Sequence, residues 1–401
     1  MGKREGLAAR RKACGYTQEG LAEALHVDRS TIQRWEKGEV EPLPWVRPKI
    51  AKKLNVSIRE LENLLTPTLD SAQSEIGDLI RSREPVKEFS SQSDLTELRG
   101  SEYAQAIRES TQRLITLDNE LGGISIADAA ARAFKSVHVR LGNGEYESRH
   151  EHDIQSAAAE LAEVAGWALF DAESHEAAKR FNHEALVLAK LSGDRSIELL
   201  IMQNMAMHAG WLGRPREELA ISQSVIEASR LSPRVETIFR IREAKGLMGV
   251  GRESDGVKVF DRARSALEDG TRDGDPSWSW WVTENEIDGH HGYALQLAGL
   301  YAEGIPYLQQ AVWHPSKAKV GYRKISAARL LDCLMRVSAW RDAEELTALV
   351  TPVVHEIASA RTLNLLRETI RQSEERSTAP GYLREALENL KIALDDDPYR
   401  F

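Results

Sequence analysis

Apolar residues recur at three- and four-residue spacing along nearly the whole of this chain, and no stretch sustains a period-two alternation of apolar and polar residues. Such spacing builds an apolar stripe on a helix and not a half-buried strand, so the fold class is read as all-α. A second regularity narrows the choice among helical folds. Helix-breaking turns recur at Phe170-Asp171, Leu212-Gly213, Val250-Gly251, Ala298-Gly299 and Val337-Ser338, at intervals of 42, 38, 48 and 39 residues. After the turns come small and large residues in register: Ala177 with Phe181, Gly256 with Phe260 and Ala263, Gly304 with Leu308 and Ala311. A small residue lets two helices cross closely, and a large one fills the next turn. A helix pair of this kind leaves an apolar face that only its neighbour buries, so residues 101–401 are expected to form an α-solenoid. A generic helical bundle is the other arrangement that the same periodicity permits.

Residues 66–100 have a different texture. Thr66-Pro67-Thr68 and Ser90-Ser91-Gln92-Ser93 are polar and turn-prone, which marks a linker between residues 1–65 and the repeats. Charge divides at the same place. Residues 1–65 hold 13 Lys and Arg against 9 Asp and Glu, while the whole chain carries −9, leaving −13 on the remainder. A basic head on an acidic body points to the head as the part that meets a polyanion.

The head carries the most specific motif, Tyr16 to Gly38. It reads as a short helix from Gln18 to Leu25, a tight turn at His26-Val27-Asp28, and a second helix from Arg29 to Lys37. Thr17 and Asp28 stand as N-caps. Leu21, Ala22, Leu25, Val27, Ile32 and Trp35 supply one apolar face, with Ala22 small where two helices cross. Ser57-Ile58-Arg59-Glu60 is a capping box opening a last helix near Leu65.

This segment resembles the Cro/repressor-type, or XRE, helix-turn-helix domain over about residues 4–65. The TQxxLA start, the IxxWExG end and the following Pro42-Leu43-Pro44-Trp45-Val46-Arg47-Pro48 turn occur together. With helical repeats behind it, the chain is similar to actinobacterial XRE regulators with a tetratricopeptide-like C-terminal region. The resemblance implies a five-helix repressor-like head followed by a tetratricopeptide-like solenoid. Gly20 departs from the family pattern, which has a bulkier helix former there. Its cost in helix propensity is up to about 1 kcal/mol.

The implied chemistry follows from docking geometry. The second helix of the motif enters the major groove, and its N-terminal residues reach base edges. By motif position Arg29, Ser30, Gln33 and Arg34 are the expected base readers, arginine suiting the O6 and N7 of guanine. Gln18, at a helix N-terminus, and Lys37 are the expected phosphate contacts. Arg11 and Glu36 occupy positions that pair as a structural salt bridge in the family. The resemblance extends more loosely to quorum-sensing regulators whose repeats grip a peptide with inward-facing Asn side chains. In this chain Ile201, Asn204, Met205 and His208 share a face, Arg240 and Glu243 lie in the next repeat, and Asn285 follows Trp278, Trp280 and Trp281. Asn204, His208, Arg240 and Asn285 are the ligand candidates. The competing reading of such a stripe is core between repeats.

Other chemistry finds little footing. The only cysteines, Cys14 and Cys333, are too far apart in sequence for a disulfide framework or a Cys-based zinc site, and fit a reducing cytoplasm. His355-Glu356-Ile357-Ala358-Ser359 has Ser where a zinc-peptidase motif needs its second His. Gly251 to Gly256 has P-loop spacing, but Val257 and Lys258 follow where Lys and Ser or Thr are needed. His150 with His152, and His290 with His291, lack the i, i+4 spacing of a helical zinc site and read as surface or core histidines. No apolar run approaches the length of a membrane span, and the start does not lead into a signal-peptide apolar region. The sequence thus reads as a cytoplasmic DNA-binding regulator, not an enzyme, with no cofactor and no metal. Its expected partners are double-stranded DNA, a second copy in a homodimer, and a peptide or protein ligand on the solenoid. A protein-interaction scaffold that binds DNA only nonspecifically is the alternative.

Overall fold

The computed structural model describes residues 5–25, 27, 29–37, 42, 47–54, 56, 61, 64–65, 98–121, 123–228, 230–268, 275–313, 322–375 and 379–395. Among them every regular element is helical. Contacts divide the chain into two units, residues 1–91 and 92–401.

The first unit contains α1 (Glu5–Ala13), α2 (Gln18–Leu25), α3 (Arg29–Lys37) and α4 (Arg47–Leu54). Thr17 caps α2: its Oγ1 accepts from the Gly20 N–H at 2.9 Å. A Cβ on residue 20 would lie 3.3 Å from that oxygen, so glycine at this position leaves the cap undisturbed and offsets part of its propensity cost. Leu21, Ala22 and Leu25 of α2 meet Ile32 and Trp35 of α3, and Leu7, Ile50 and Leu54 close the core from α1 and α4. Each such large side chain contributes roughly 1.5–3 kcal/mol by burial. Leu61, Leu64 and Leu65 are helical, and Leu61 and Leu65 are buried in the same core. His26, Asp28, residues 43–46, the capping box 57–60 and most of the expected linker lie outside the described residues.

Among the described residues the second unit is a row of seven helical hairpins. They are α5 (Ser101–Leu121) with α6 (Gly123–Gly142), α7 (Glu151–Asp171) with α8 (His175–Ser192), and α9 (Arg195–Trp211) with α10 (Pro215–Ala228). Next come α11 (Pro233–Gly249) with α12 (Glu253–Glu268), α13 (Glu284–Leu297) with α14 (Tyr301–Trp313), α15 (Tyr322–Arg336) with α16 (Trp340–Val350), and α17 (Ala360–Glu375) with α18 (Gly381–Asp395). Each hairpin packs its two helices together and lays them on the next hairpin, which is the solenoid arrangement. The small–large register explains the close crossings. A Cβ on Gly292 of α13 would lie 2.6 Å from the Leu308 side chain and 3.1 Å from the Gly304 carbonyl of α14, so only glycine lets these backbones meet.

Four of the five sequence turns coincide with hairpin turns, and one shifts. Phe170-Asp171 remains helical, and the chain turns at Ala172–Ser174. Asp171 ends the helix from inside because its carboxylate is held by Arg361, which counters its usual preference for a turn. That bond joins α7 to α17 across 190 residues. Ser359 Oγ donates to the same Asp171 oxygen at 2.9 Å, and Asn364 donates to Glu173. The row of hairpins therefore curves far enough for the end of α7 to touch the start of α17.

Candidate nucleic-acid interface and the interior of the repeats

α3 is split sharply between two faces. Ile32 and Trp35 are buried, while Arg29, Ser30, Gln33 and Arg34 are all exposed. Spacing of one, four and five residues puts these four side chains on a single side of the helix. Arg29 NH1 lies 2.9 Å from Glu19 Oε1 of α2, and both side chains are more than 60% exposed (62% and 68%). Such a pair is worth about 0–1 kcal/mol, so Arg29 is easily released to another acceptor. Lys37 is exposed at the end of the helix.

Beneath this face lies a buried ion pair. Arg11 Nε donates to Glu36 Oε1 at 2.6 Å, with side-chain exposures of 7% and 10%. Arg11 NH1 donates to the Tyr16 carbonyl at 2.7 Å, and Gln18 Nε2 donates to Glu36 Oε2 at 2.7 Å. The carboxylate is thus shared by α1, α2 and α3, which fixes the angle at which α3 is presented. The Gln18 side chain is turned into this network.

The four ligand candidates of the repeats do not form one group. Asn204 of α9 is buried, accepts from Gln203 Nε2 at 2.5 Å and donates to Glu163 Oε1 at 2.6 Å. His208, one turn further along α9, is buried against the Phe170 ring at 5.0 Å and the His175 ring at 5.3 Å. Arg240 is committed to Glu236 and Glu243 of its own helix, at 3.1 and 2.9 Å. Asn285 is buried near the N-terminus of α13. The tryptophan cluster beside it has structural contacts: Trp278 Nε1 donates to Ser196 at 3.1 Å and its ring lies 6.3 Å from that of Trp281.

What the first helices of the hairpins bring together is a different set, centred on His290. Its Nε2 lies 2.9 Å from Glu286 Oε1 and 3.0 Å from Arg242 NH1, whose NH2 donates to Gln203 at 3.0 Å. Lys245 pairs with Glu218 at 3.0 Å, both almost fully buried. Arg329 stacks its guanidinium 3.1 Å from the Tyr293 ring centroid and 5.5 Å from Trp211. Arg361 lies 4.1 Å from Phe170, 5.3 Å from Trp211 and 5.4 Å from Trp167.

Burial shapes the protonation of this interior. Enclosure, followed by the fields of Arg242, Lys245, Arg329 and Arg361, pushes the His290 imidazole well below its usual range. Burial lifts the Glu286 carboxyl to about 7, against the pull of Arg242 and Lys245. Burial lifts Glu163 to about 7 as well, against the Asn204 bond and with the repulsion of Asp118 and Glu160. His208 and His291 are both lowered to about 4, chiefly by burial. Charged residues at apolar helical spacing, such as Arg242 with Lys245 and Glu286 with His290 and Tyr293, were the sequence signal for this set. That signal stays hidden while such residues are assumed to face solvent. Among the described residues no group of three or more His, Cys, Asp or Glu is placed to hold a metal ion.

Comparison with known proteins bears on the head. The family model described as helix-turn-helix matches residues 7–61. No curated protein matches the chain. Among solved structures, Bacillus thuringiensis PlcR in complex with the peptide PapR7 and DNA aligns over 77% of this chain and 92% of that one, at 16% identity and a TM-score of 0.35. That score is too low to establish a shared arrangement. The family match and the α2–α3 geometry agree on residues 7–61: this segment is an XRE-type helix-turn-helix domain, the DNA-binding head, and a body of helical repeats follows it in the chain.

Proposed function

We propose that this protein is a cytoplasmic, non-enzymatic transcription regulator that binds a specific DNA operator as a homodimer and senses a peptide or protein ligand through its repeats. The observation that carries the DNA reading is the exposed quartet Arg29, Ser30, Gln33 and Arg34 on one side of α3, backed by the buried Arg11–Glu36 pair. In this reading the quartet meets base edges, and Lys37 and the N-terminus of α2 at Gln18 meet phosphates. The side-chain amide of Gln18 would keep its bond to Glu36, leaving backbone N–H groups for the phosphate. The apolar residues of the head are largely spent on its own core, so the body is the proposed source of dimerisation.

The test is selection of bound fragments from genomic DNA, followed by a footprint and by insertion of five base pairs between half-sites. Two linked heads require half-site centres about 10 to 10.5 base pairs apart or a multiple of that. The insertion should therefore abolish tight binding. A footprint without sequence preference would support the scaffold alternative instead, and indifference to the insertion would remove the dimer.

A further inference from the structure

The interior around His290 gathers Arg242, Lys245, Arg329 and Arg361, whose fields all act on that imidazole. Lys245 is matched by Glu218 at 3.0 Å and Arg361 by Asp171 at 2.6 Å. Glu286 faces Arg242 through His290. Arg329 is different. It is only 6% exposed, yet among the described residues no carboxylate lies within ion-pair distance of it. Its neighbours are the Tyr293 and Trp211 rings and the Gln296 side chain, whose Oε1 accepts from Arg329 NH1 at 3.3 Å. Burial above all, and then the nearby Arg361, pushes its pKa down; the Tyr293 side chain pulls the other way, and no carboxylate joins it. A buried guanidinium in that state is costly unless an anion joins it.

Two further observations point to a ligand. The His290 side chain keeps 16% of its surface accessible, although Arg242 and Glu286 both hold its Nε2. The Nε2 atom of His208 is buried without a hydrogen-bond partner. His208 lies one turn before Trp211 on α9, and Trp211 touches both Arg329 and Arg361. Buried polar atoms are nearly always satisfied, so an orphan nitrogen one turn from the ring that Arg329 and Arg361 share is open to a hydrogen-bonding guest.

We infer that the interior of the repeat body binds an organic carboxylate, received by the guanidinium of Arg329 with Arg242 and His290 beside it. The inference deepens the reading of the body as a sensor and rests on it. A free small acid and the C-terminus of a short peptide present the same chemistry, and the test separates them.

The experiment titrates the full chain by calorimetry with succinate, benzoate, the tripeptide Ala-Leu-Ala and its C-terminal amide, at matched ionic strength. Saturable binding of at least one free carboxylate is expected, weakened at least tenfold in Arg329→Met. Arg329→Lys, which keeps the charge but loses the paired donors, should fall between the two. Arg132→Met, at an exposed position, should bind as the parent does. Thermal melting of Arg329→Met no lower than the parent separates lost binding from lost fold. Binding of the acids alone assigns a free metabolite, and binding of the tripeptide but not its amide assigns a peptide terminus. Absence of saturable binding to every carboxylate, or equal binding by both Arg329 variants and the parent, overturns the site. Genomic fragment selection on the same preparation keeps the two readings apart. Specific fragments without carboxylate binding would sink only this site, and carboxylate binding without specific fragments would sink only the regulator.

Discussion

Two buried arginines, one in each unit, are handled in opposite ways. In the head, Arg11 meets a carboxylate at 2.6 Å, and that carboxylate also accepts from Gln18, so α1, α2 and α3 share one charge centre. In the body, Arg329 meets two aromatic rings and an amide oxygen but no carboxylate among the described residues. The first arrangement is closed, with its charges balanced and its geometry fixed. The second is open, with a donor fork held in place and no counter-charge. The same side chain is therefore a strut where its partner is built in, and a receptor where it is left out.

The largest expected effect breaks this comparison directly. Arg11→Ala leaves Glu36 buried and uncompensated, and should destabilise the head by about 3–5 kcal/mol. Hydrogen exchange of α2 and α3 amides in the full chain reads the loss. Arg329→Met replaces an unbalanced charge by an apolar side chain of similar length, and should leave the unliganded body unchanged or more stable by up to about 1–4 kcal/mol. Equal destabilisation by both substitutions would erase the distinction drawn between them.

A middle-sized effect concerns what the strut supports. Arg34→Ala should cost about 1–3 kcal/mol at the selected operator and relax preference at one base pair. Lys37→Ala should weaken all sequences alike and flatten the salt dependence. Titration of both variants on the operator and on scrambled DNA separates these outcomes, and an unchanged operator ranking in Arg34→Ala would remove that residue from the base readers.

Protonation sharpens the contrast further. Glu163 and Glu286 have folded values near 7, above the ordinary value of 4.5. Their contribution to stability is full below pH 4.5 and is lost as pH rises through 7. His208 and His291 have folded values near 4, below the ordinary 6.5, so their contribution is full above 6.5 and is lost as pH falls toward 4. Between pH 8 and 6 each carboxyl should add roughly 1 kcal/mol, and the histidines should cancel part of it. Thermal melts should therefore show greatest stability in mildly acidic solution. Glu163→Gln with Glu286→Gln should remove the alkaline limb and leave the acid limb in place.

Legibility in the sequence follows the same division. The head was readable because its function sits in a short, continuous run: Thr17 through Lys37 supplies the cap, both helices and the exposed quartet. The repeats were readable as repeats because short turns mark five of the hairpins locally and small residues in register mark three of them. The interior was not readable, because Glu163, Arg242, His290, Arg329 and Arg361 come from five different helices and meet only when the hairpins stack. Spacing within a helix shows which residues share a face. It does not show which face turns inward once the row of hairpins curves and α17 reaches α7.

The smallest expected effect tests the hairpin turns themselves. Three of them pass through a left-handed residue at Gly213, Gly251 and Gly299, with φ of 70°, 81° and 78°. The equivalent residues in two others are Glu173 and Ser338, with φ of 58° and 60°. A side chain in that region costs roughly 1 kcal/mol, because Cβ crowds the following carbonyl oxygen. Glu173 has a compensation, since its carboxylate accepts a hydrogen bond from Asn364 in the contact between α7 and α17. No such bond to the Ser338 side chain is found among the described residues, and its N–H donates to the Met335 carbonyl at 3.3 Å as a glycine would. Ser338→Gly should therefore stabilise the body by about 0.5–1 kcal/mol, the relieved strain exceeding the entropy that glycine adds to the unfolded chain. Glu173→Gly relieves the same strain but severs the link to α17, and should gain less or lose. Chemical denaturation of the two variants reads the difference, and an equal gain in both would show that the Asn364 bond adds nothing to the closure.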